Sequence, residues 1–285
     1  APLRAGPKAR FRRFRAAVKQ TAGLGPKGEA RGTPPIVIQQ SSESKGVKVN
    51  MSLIIQGSDL KIDILSRAAL DAHHANYKKR MGREPGIERE PTDEQITCFA
   101  YQINEAGSIL VDFAVFVPFG GRLAKRMRMH GERLGPDGCI YTLEIYGPPN
   151  IDEWDLSMAI FRTCCIMFEQ VSAELLDQYA AKIRKYARWY GPKAWPLIYQ
   201  VESRTRSEHA PRVRRRLADE KEAALKNGKE HPYNPSQPWE EVFAQIVLHE
   251  DPWWRNELER PAIQISTGVT EAKDHVDDDA PVKKA

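Results

Sequence analysis

The sequence predicts an α+β fold, predominantly helical, in which a small β-sheet or hairpin packs on a multi-helix bundle. Three observations predict it. From Thr92 onward, polar capping residues precede apolar residues that recur at helical spacing. Residues 109–147 hold β-branched and aromatic runs bounded by Gly and Pro. Both ends are rich in Gly, Pro, Ser and charge without sustained periodicity. The expected organisation is a disordered basic arm over 1–50, helices plus the small sheet over 51–149, a helical bundle over 150–262 and an acidic disordered tail over 263–285.

Taken in order, "GSDLKIDILSRAALDAHHANYKKRMG" offers Ser58 or Asp59 as an N-cap, with Ile62, Leu65, Ala69 and Leu70 on one side and Gly82 as a stop. Thr92 with Gln95 three residues later forms a capping box, in which each side chain bonds the other's free backbone N–H. Ile96, Phe99, Ala100 and Ile103 follow at helical spacing, and Gly107 closes the element. "ILVDFAVFVP", apolar and aromatic and then broken by Pro118, reads as a buried strand. "GRLAKRMRMHGERL" reads as a helical turn or a second strand, "GPDG" as a turn, and "CIYTLEIYGPP" as a strand.

The bundle begins where Asn150 or Asp152 caps a helix whose Trp154, Met158, Phe161, Cys165 and Phe168 alternate spacings of four and three. Ser172 opens the next, with Leu176, Tyr179, Ile183, Tyr186 and Tyr190 on one stripe. Its Glu174 and Asp177 lie near the start and Lys182, Arg184, Lys185 and Arg188 near the end, which suits the helix dipole. Gly191 and Pro192 stop it. A third helix runs from about Trp195. Pro211 within it would lose a hydrogen bond and meet the Ser207 carbonyl, costing about 3 kcal/mol, so a kink or a break near His209 is expected. "SQPWEEVFAQIVLHE" and "DPWWRNELER" each pair a polar cap with an early Pro. The six tryptophans, Trp154, Trp189, Trp195, Trp239, Trp253 and Trp254, are expected in the core.

Among 285 residues, 41% are hydrophobic, enough for a substantial core, while 28% are charged. No apolar run reaches the roughly 18–20 residues of a membrane helix, and "SMAIFRTCCIMF" is interrupted by Arg162. Cys98, Cys139, Cys164 and Cys165 form no CxxC pair, and free buried thiols are expected. An intracellular setting is expected, cytoplasm or nucleus.

The net charge of +5 is unevenly spread. Cations crowd three stretches: "KARFRRFRAAVKQ" with Arg12, Arg13 and Arg15; the run holding Arg122, Lys125, Arg126 and Arg128; and "PRVRRRL" with Arg214, Arg215 and Arg216. The first resembles a mitochondrial presequence, but the Gly, Pro and Lys clusters behind it favour an unfolded basic arm. Arginines interleaved with Phe suit phosphate neutralisation and base stacking. In the third stretch, Asp219 and Glu220 form helix-surface pairs that neutralise part of the charge. "DHVDDDA" near residue 280 is acidic, and this asymmetry suggests contact with a polyanion or an intramolecular partner for the tail.

Catalytic patterns are sparse. Asp71 and His74 lie one helical turn apart, an incomplete zinc site, and His130 and Cys139 lack paired spacing. Asp112, Asp137 and Glu144 resemble a magnesium-dependent nuclease's carboxylates and would have to converge in space. "GLGPKGEARG" is a proline-interrupted linker, not a phosphate cradle. No metal or cofactor is expected in the preferred reading.

From "ILVDFAVFVPFGGRLAKRMRM" through "EIYGPPNIDEWDLSMAIFRTCCIMF", the Trp189 region with "RSEH", the "RVRRRL" run and "NPSQPWEEVF", residues 92–262 resemble a recurrent segment of repetitive, retroelement-associated dinoflagellate open reading frames. Pro211, directly after "RSEHA", departs from that pattern. The resemblance implies a mobile-element context and carries over no catalytic residue. The expected function is therefore non-enzymatic: a nucleic-acid-binding or scaffold module of a retroelement-type polyprotein, able to self-associate. It would grip phosphate, RNA or DNA, without base specificity and apart from any membrane. The alternatives are the nuclease and a purely structural protein–protein module.

Overall fold

The computed structural model describes residues 47–118, 127–134, 140–248 and 252–267. Among them the fold is mostly helical, with two two-stranded antiparallel sheets. In order come β1 (Lys48–Asn50), β2 (Lys61–Asp63), α1 (Arg67–Met81), α2 (Asp93–Asn104), β3 (Arg128–Leu134) and β4 (Ile140–Tyr146). The bundle comes next: α3 (Ile151–Met167), α4 (Ala173–Tyr190), α5 (Trp195–Arg204), α6 (Ala210–Lys226), α7 (Pro238–Leu248), α8 (Pro252–Trp254) and α9 (Arg260–Thr267). No described helix is long and apolar enough to cross a membrane.

The first helix starts later than its apolar spacing predicts. Leu60-Lys-Ile-Asp-Ile64 alternates with period two, and Lys61–Asp63 pairs with Lys48–Asn50 in register Val49↔Ile62. Ser66, not Ser58 or Asp59, caps α1, its hydroxyl accepting from the Ala69 N–H at 3.3 Å. Gly82 ends it in the left-handed conformation (φ 69°). The capping box of α2 is complete: Gln95 N–H donates to the Thr92 hydroxyl at 3.3 Å, and Thr92 N–H to the Gln95 side chain at 3.1 Å.

Residues 109–117 form no strand. Ile109, Val111, Phe113, Ala114, Phe116 and Val117 are buried as predicted, but the chain turns at Phe113–Val115. Its backbone groups find partners other than a neighbouring strand. Asp112 N–H donates to the Ile54 carbonyl at 2.7 Å, Gln95 Nε2 donates to the Val117 carbonyl at 3.0 Å, and the Arg206 guanidinium donates to the Val111 carbonyl. Buried backbone must be bonded somewhere, and here distant side chains do it. The only strands between residues 109 and 147, among those described, are β3 and β4, a hairpin in register Arg128↔Tyr146. The predicted turn at "GPDG" lies outside the described residues.

Helices α3 and α4 lie antiparallel, joined by Arg162–Asp177 at 2.7 Å and Arg184–Asp155 at 2.8 Å. Asn150 and Ser172 cap them as their positions predict. A single hydrophobic cluster includes Phe99, Phe113 and Phe116 with Trp154, Phe161, Tyr179, Tyr199, Trp239 and Trp254, so both halves of the chain share one interior.

The regular α-helix is interrupted ahead of Pro211, as expected, between Arg204 and Ala210. The backbone widens into a π turn over Thr205–His209, with Ala210 N–H reaching the Thr205 carbonyl five residues back, and α6 continues from it with Pro211 in its first turn. The wider turn accommodates the ring that a regular helix would press against Ser207. The same device recurs over Arg255–Glu259, directly before Arg260 and Pro261. Trp253 Nε1 donates to the Thr205 hydroxyl at 2.8 Å and its indole stacks on His209, which ties the two π-turn regions together.

Candidate nucleic-acid interface

The "RTRSEHAPRVRRR" run folds largely into contacts with its own chain. Arg206 is 1% exposed and Glu202, one turn earlier, 0%. Its guanidinium donates to both Glu202 oxygens at 2.7 and 3.0 Å and lies 3.8 Å from the Phe113 ring centroid. Tyr179 O–H donates to the same carboxylate at 3.1 Å. Burial opposes charge at Arg206, but the Glu202 carboxylate and its hydrogen bonds outweigh burial and push the guanidinium's pKa up. Burial and the Glu202 charge push the Tyr179 phenol up as well. This is a sealed polar knot in the core.

Arg204 bonds Glu208 at 3.2 Å and Glu257 at 2.7 Å, and Arg212 meets Glu208 at 3.7 Å. Arg214 is half-buried: it donates to the Gly107 carbonyl and sits 5.1 Å from the Trp239 ring centroid. Arg216 pairs with Glu220 at 3.5 Å, the helix-surface pair that the sequence predicts. Arg215 is exposed. Arg128 is exposed on β3 but bonds Glu144 at 2.8 Å. Arg12, Arg13, Arg15, Arg122, Lys125 and Arg126 lie outside the described residues.

The nuclease carboxylates fare differently from one another. Asp112 accepts from the Ala114 N–H at 2.8 Å within its turn, Glu144 is exposed on the hairpin, and Asp137 lies outside the described residues. Among the described residues no three His, Cys, Asp or Glu side chains group as a metal site. Asp71 and His74 share an open cleft with Arg67, Lys78, Glu84, Glu90 and Asp93. Its charges are largely matched, Arg67 bridging Asp71 at 2.9 Å and Asp93 at 3.5 Å while Lys78 meets Glu84 at 3.0 Å.

A different cationic surface emerges at the C-terminal end of α4. Leu176, Tyr179, Ile183 and Tyr186 form its buried stripe, as predicted. Trp189 falls off that stripe and, against the expectation that all six tryptophans are core, is 61% exposed. Three residues at about 100° each leave it about 60° short of a full turn from Tyr186. Lys185 Nζ lies 4.2 Å from its ring centroid, and Tyr186 meets it edge-on with centroids 6.4 Å apart. Arg188 and Lys193 are exposed and carry no ion pair among the described residues. Gly191 (φ 75°) turns the chain so that Lys193 follows the helix end closely. Charge of this sign is favourable beside the exposed carbonyls there. Glu259 accepts from the Tyr186 hydroxyl at 3.0 Å.

Periodicity alone missed this group, because Trp189 stands beside stripe residues and its cations read as dipole partners. The usable signal was the spacing of Lys185 and Trp189, four apart, with Arg188 between. Compared with known proteins, the chain matches no family model, no curated protein and no solved structure.

Proposed function

We propose that the chain is a nucleic-acid-binding module that holds single strands at the end of α4. Phosphates lie against Lys185, Arg188 and Lys193, and a base stacks on the face of Trp189 that Lys185 leaves open. The observation that carries this reading is an exposed indole set among cations that no carboxylate neutralises among the described residues. Every base has a π-face and every nucleotide a phosphate, so such a surface binds without regard to base sequence. Arg215 and the basic stretches that hold Arg12 and Arg122 in the sequence supply further positive charge to the chain as a whole. The resemblance to retroelement-associated segments suits a module that coats or scaffolds an element's nucleic acid.

The test is a fluorescence-anisotropy titration of a labelled single-stranded oligonucleotide between about 50 and 300 mM salt. Affinity is expected to fall steeply, by about 0.7 log units per log unit of salt for each phosphate contacted. Trp189→Ala is expected to weaken binding by about 1–3 kcal/mol, and Lys185→Ala with Arg188→Ala to flatten the salt dependence. Affinity indifferent to salt, or undiminished in Trp189→Ala, overturns the reading; absence of binding at low salt leaves the purely structural module in its place.

A further inference from the structure

We infer that the acidic stretch beyond Thr267 docks on the Lys185–Arg188–Trp189–Lys193 surface and competes there with polyanions. The inference rests on reading that surface as anion-binding. Helix α7 runs alongside α4 in the same direction. Glu240, at the start of α7, accepts from the Ser172 N–H at the start of α4 (2.6 Å), and Lys182 donates to the Ile246 carbonyl further on (3.2 Å). Trp254 then meets Tyr186 at 5.7 Å between ring centroids, and Glu259 accepts from the Tyr186 hydroxyl. Helix α9 packs on α4 and is only ~12 Å long. The chain therefore leaves the described fold close to the end of α4 where the cations stand.

The residues beyond that exit are complementary in charge. Glu271, Asp274, Asp277, Asp278 and Asp279 face a single lysine, Lys273, over residues 271–279. From Thr267 these residues lie four to twelve positions on, a reach of up to ~40 Å when extended. A segment tethered that closely has an effective concentration near the millimolar range, so weak ion pairs suffice for occupancy at low salt. The described carboxylates leave Arg188 and Lys193 unpaired, and the acidic stretch supplies the missing partners.

The experiment is iodide quenching of tryptophan emission in the full chain against its D274N/D277N/D278N/D279N variant. The other five tryptophans are buried, at most 9% exposed, so the iodide-accessible emission belongs to Trp189. Neutralising the stretch is expected to raise the quenching constant at least about twofold at low ionic strength, by restoring a positive local potential. The difference should vanish near 0.5 M salt, roughly where screening takes over, and Trp189→Phe should remove it. Equal quenching of the two chains at low salt overturns the contact. In the oligonucleotide titration, the neutralised chain is expected to bind about 3- to 10-fold more tightly; unchanged affinity overturns the competition. If neither chain binds the oligonucleotide while the quenching difference persists, the intramolecular contact stands and the nucleic-acid reading falls.

Discussion

Val111 presents a carbonyl to the protein interior where no neighbouring strand can bond it, and Arg206 supplies the missing donor. That one guanidinium also neutralises Glu202, which in turn holds the Tyr179 hydroxyl. Arg206→Ala is therefore expected to destabilise the fold by about 3–5 kcal/mol, because it strands a buried carboxylate and a buried carbonyl together. Pairing it with Glu202→Leu should recover part of the loss, since the orphaned charge disappears. Urea unfolding of the single and double variants measures both. At this scale the sequence was least informative. Glu202 and Arg206 sit four apart, the spacing of an ordinary exposed helix pair, and nothing local announces that they face inward. Their burial comes from Phe113 and Phe161 packing around the guanidinium, which is a property of the fold. Trp189 is the converse case, an apolar residue that helical phase carries outward.

Elements whose ends are set locally were legible. The Thr92–Gln95 box, the Asn150 and Ser172 caps and the Gly82 and Gly191 stops need only neighbours a few residues away, and all five are found. Thr92→Ala is expected to cost about 1 kcal/mol, with Thr92→Ser nearly neutral, read as a shift in the urea midpoint. Elements that depend on distant partners were misread. The 109–117 segment has a strand's composition, yet its hydrogen bonds come from Gln95 and Arg206 side chains and from the Ile54 carbonyl. The Lys61–Asp63 strand was absorbed into the helix behind it, because its partner, Lys48–Asn50, lies in a stretch without apolar periodicity. Pro211 gave a correct warning of irregularity, but the relief taken is a widened turn.

Across the whole molecule, the interior ignores the division between a sheet-bearing half and a helical half. Phe99, Phe113 and Phe116 lie in the same cluster as Phe161, Tyr179 and Trp254, and Arg206 and Arg214 of the later half bond Val111 and Gly107 of the earlier one. Fragments 47–149 and 150–267 are accordingly expected to lack cooperative thermal transitions when expressed apart; a sharp melt from either one alone would contradict a shared core. The π turn at Thr205–His209 adds a constraint of phase. An i to i+5 turn holds one residue more than regular α-helical winding requires, so deleting a residue from it would restore ideal geometry locally. Everything downstream would then rotate by about 100° about the helix axis. Val213 and Leu217 would swing out to water, and Arg214 would lose its hold on Gly107. Perfecting this helix would dismantle the protein around it.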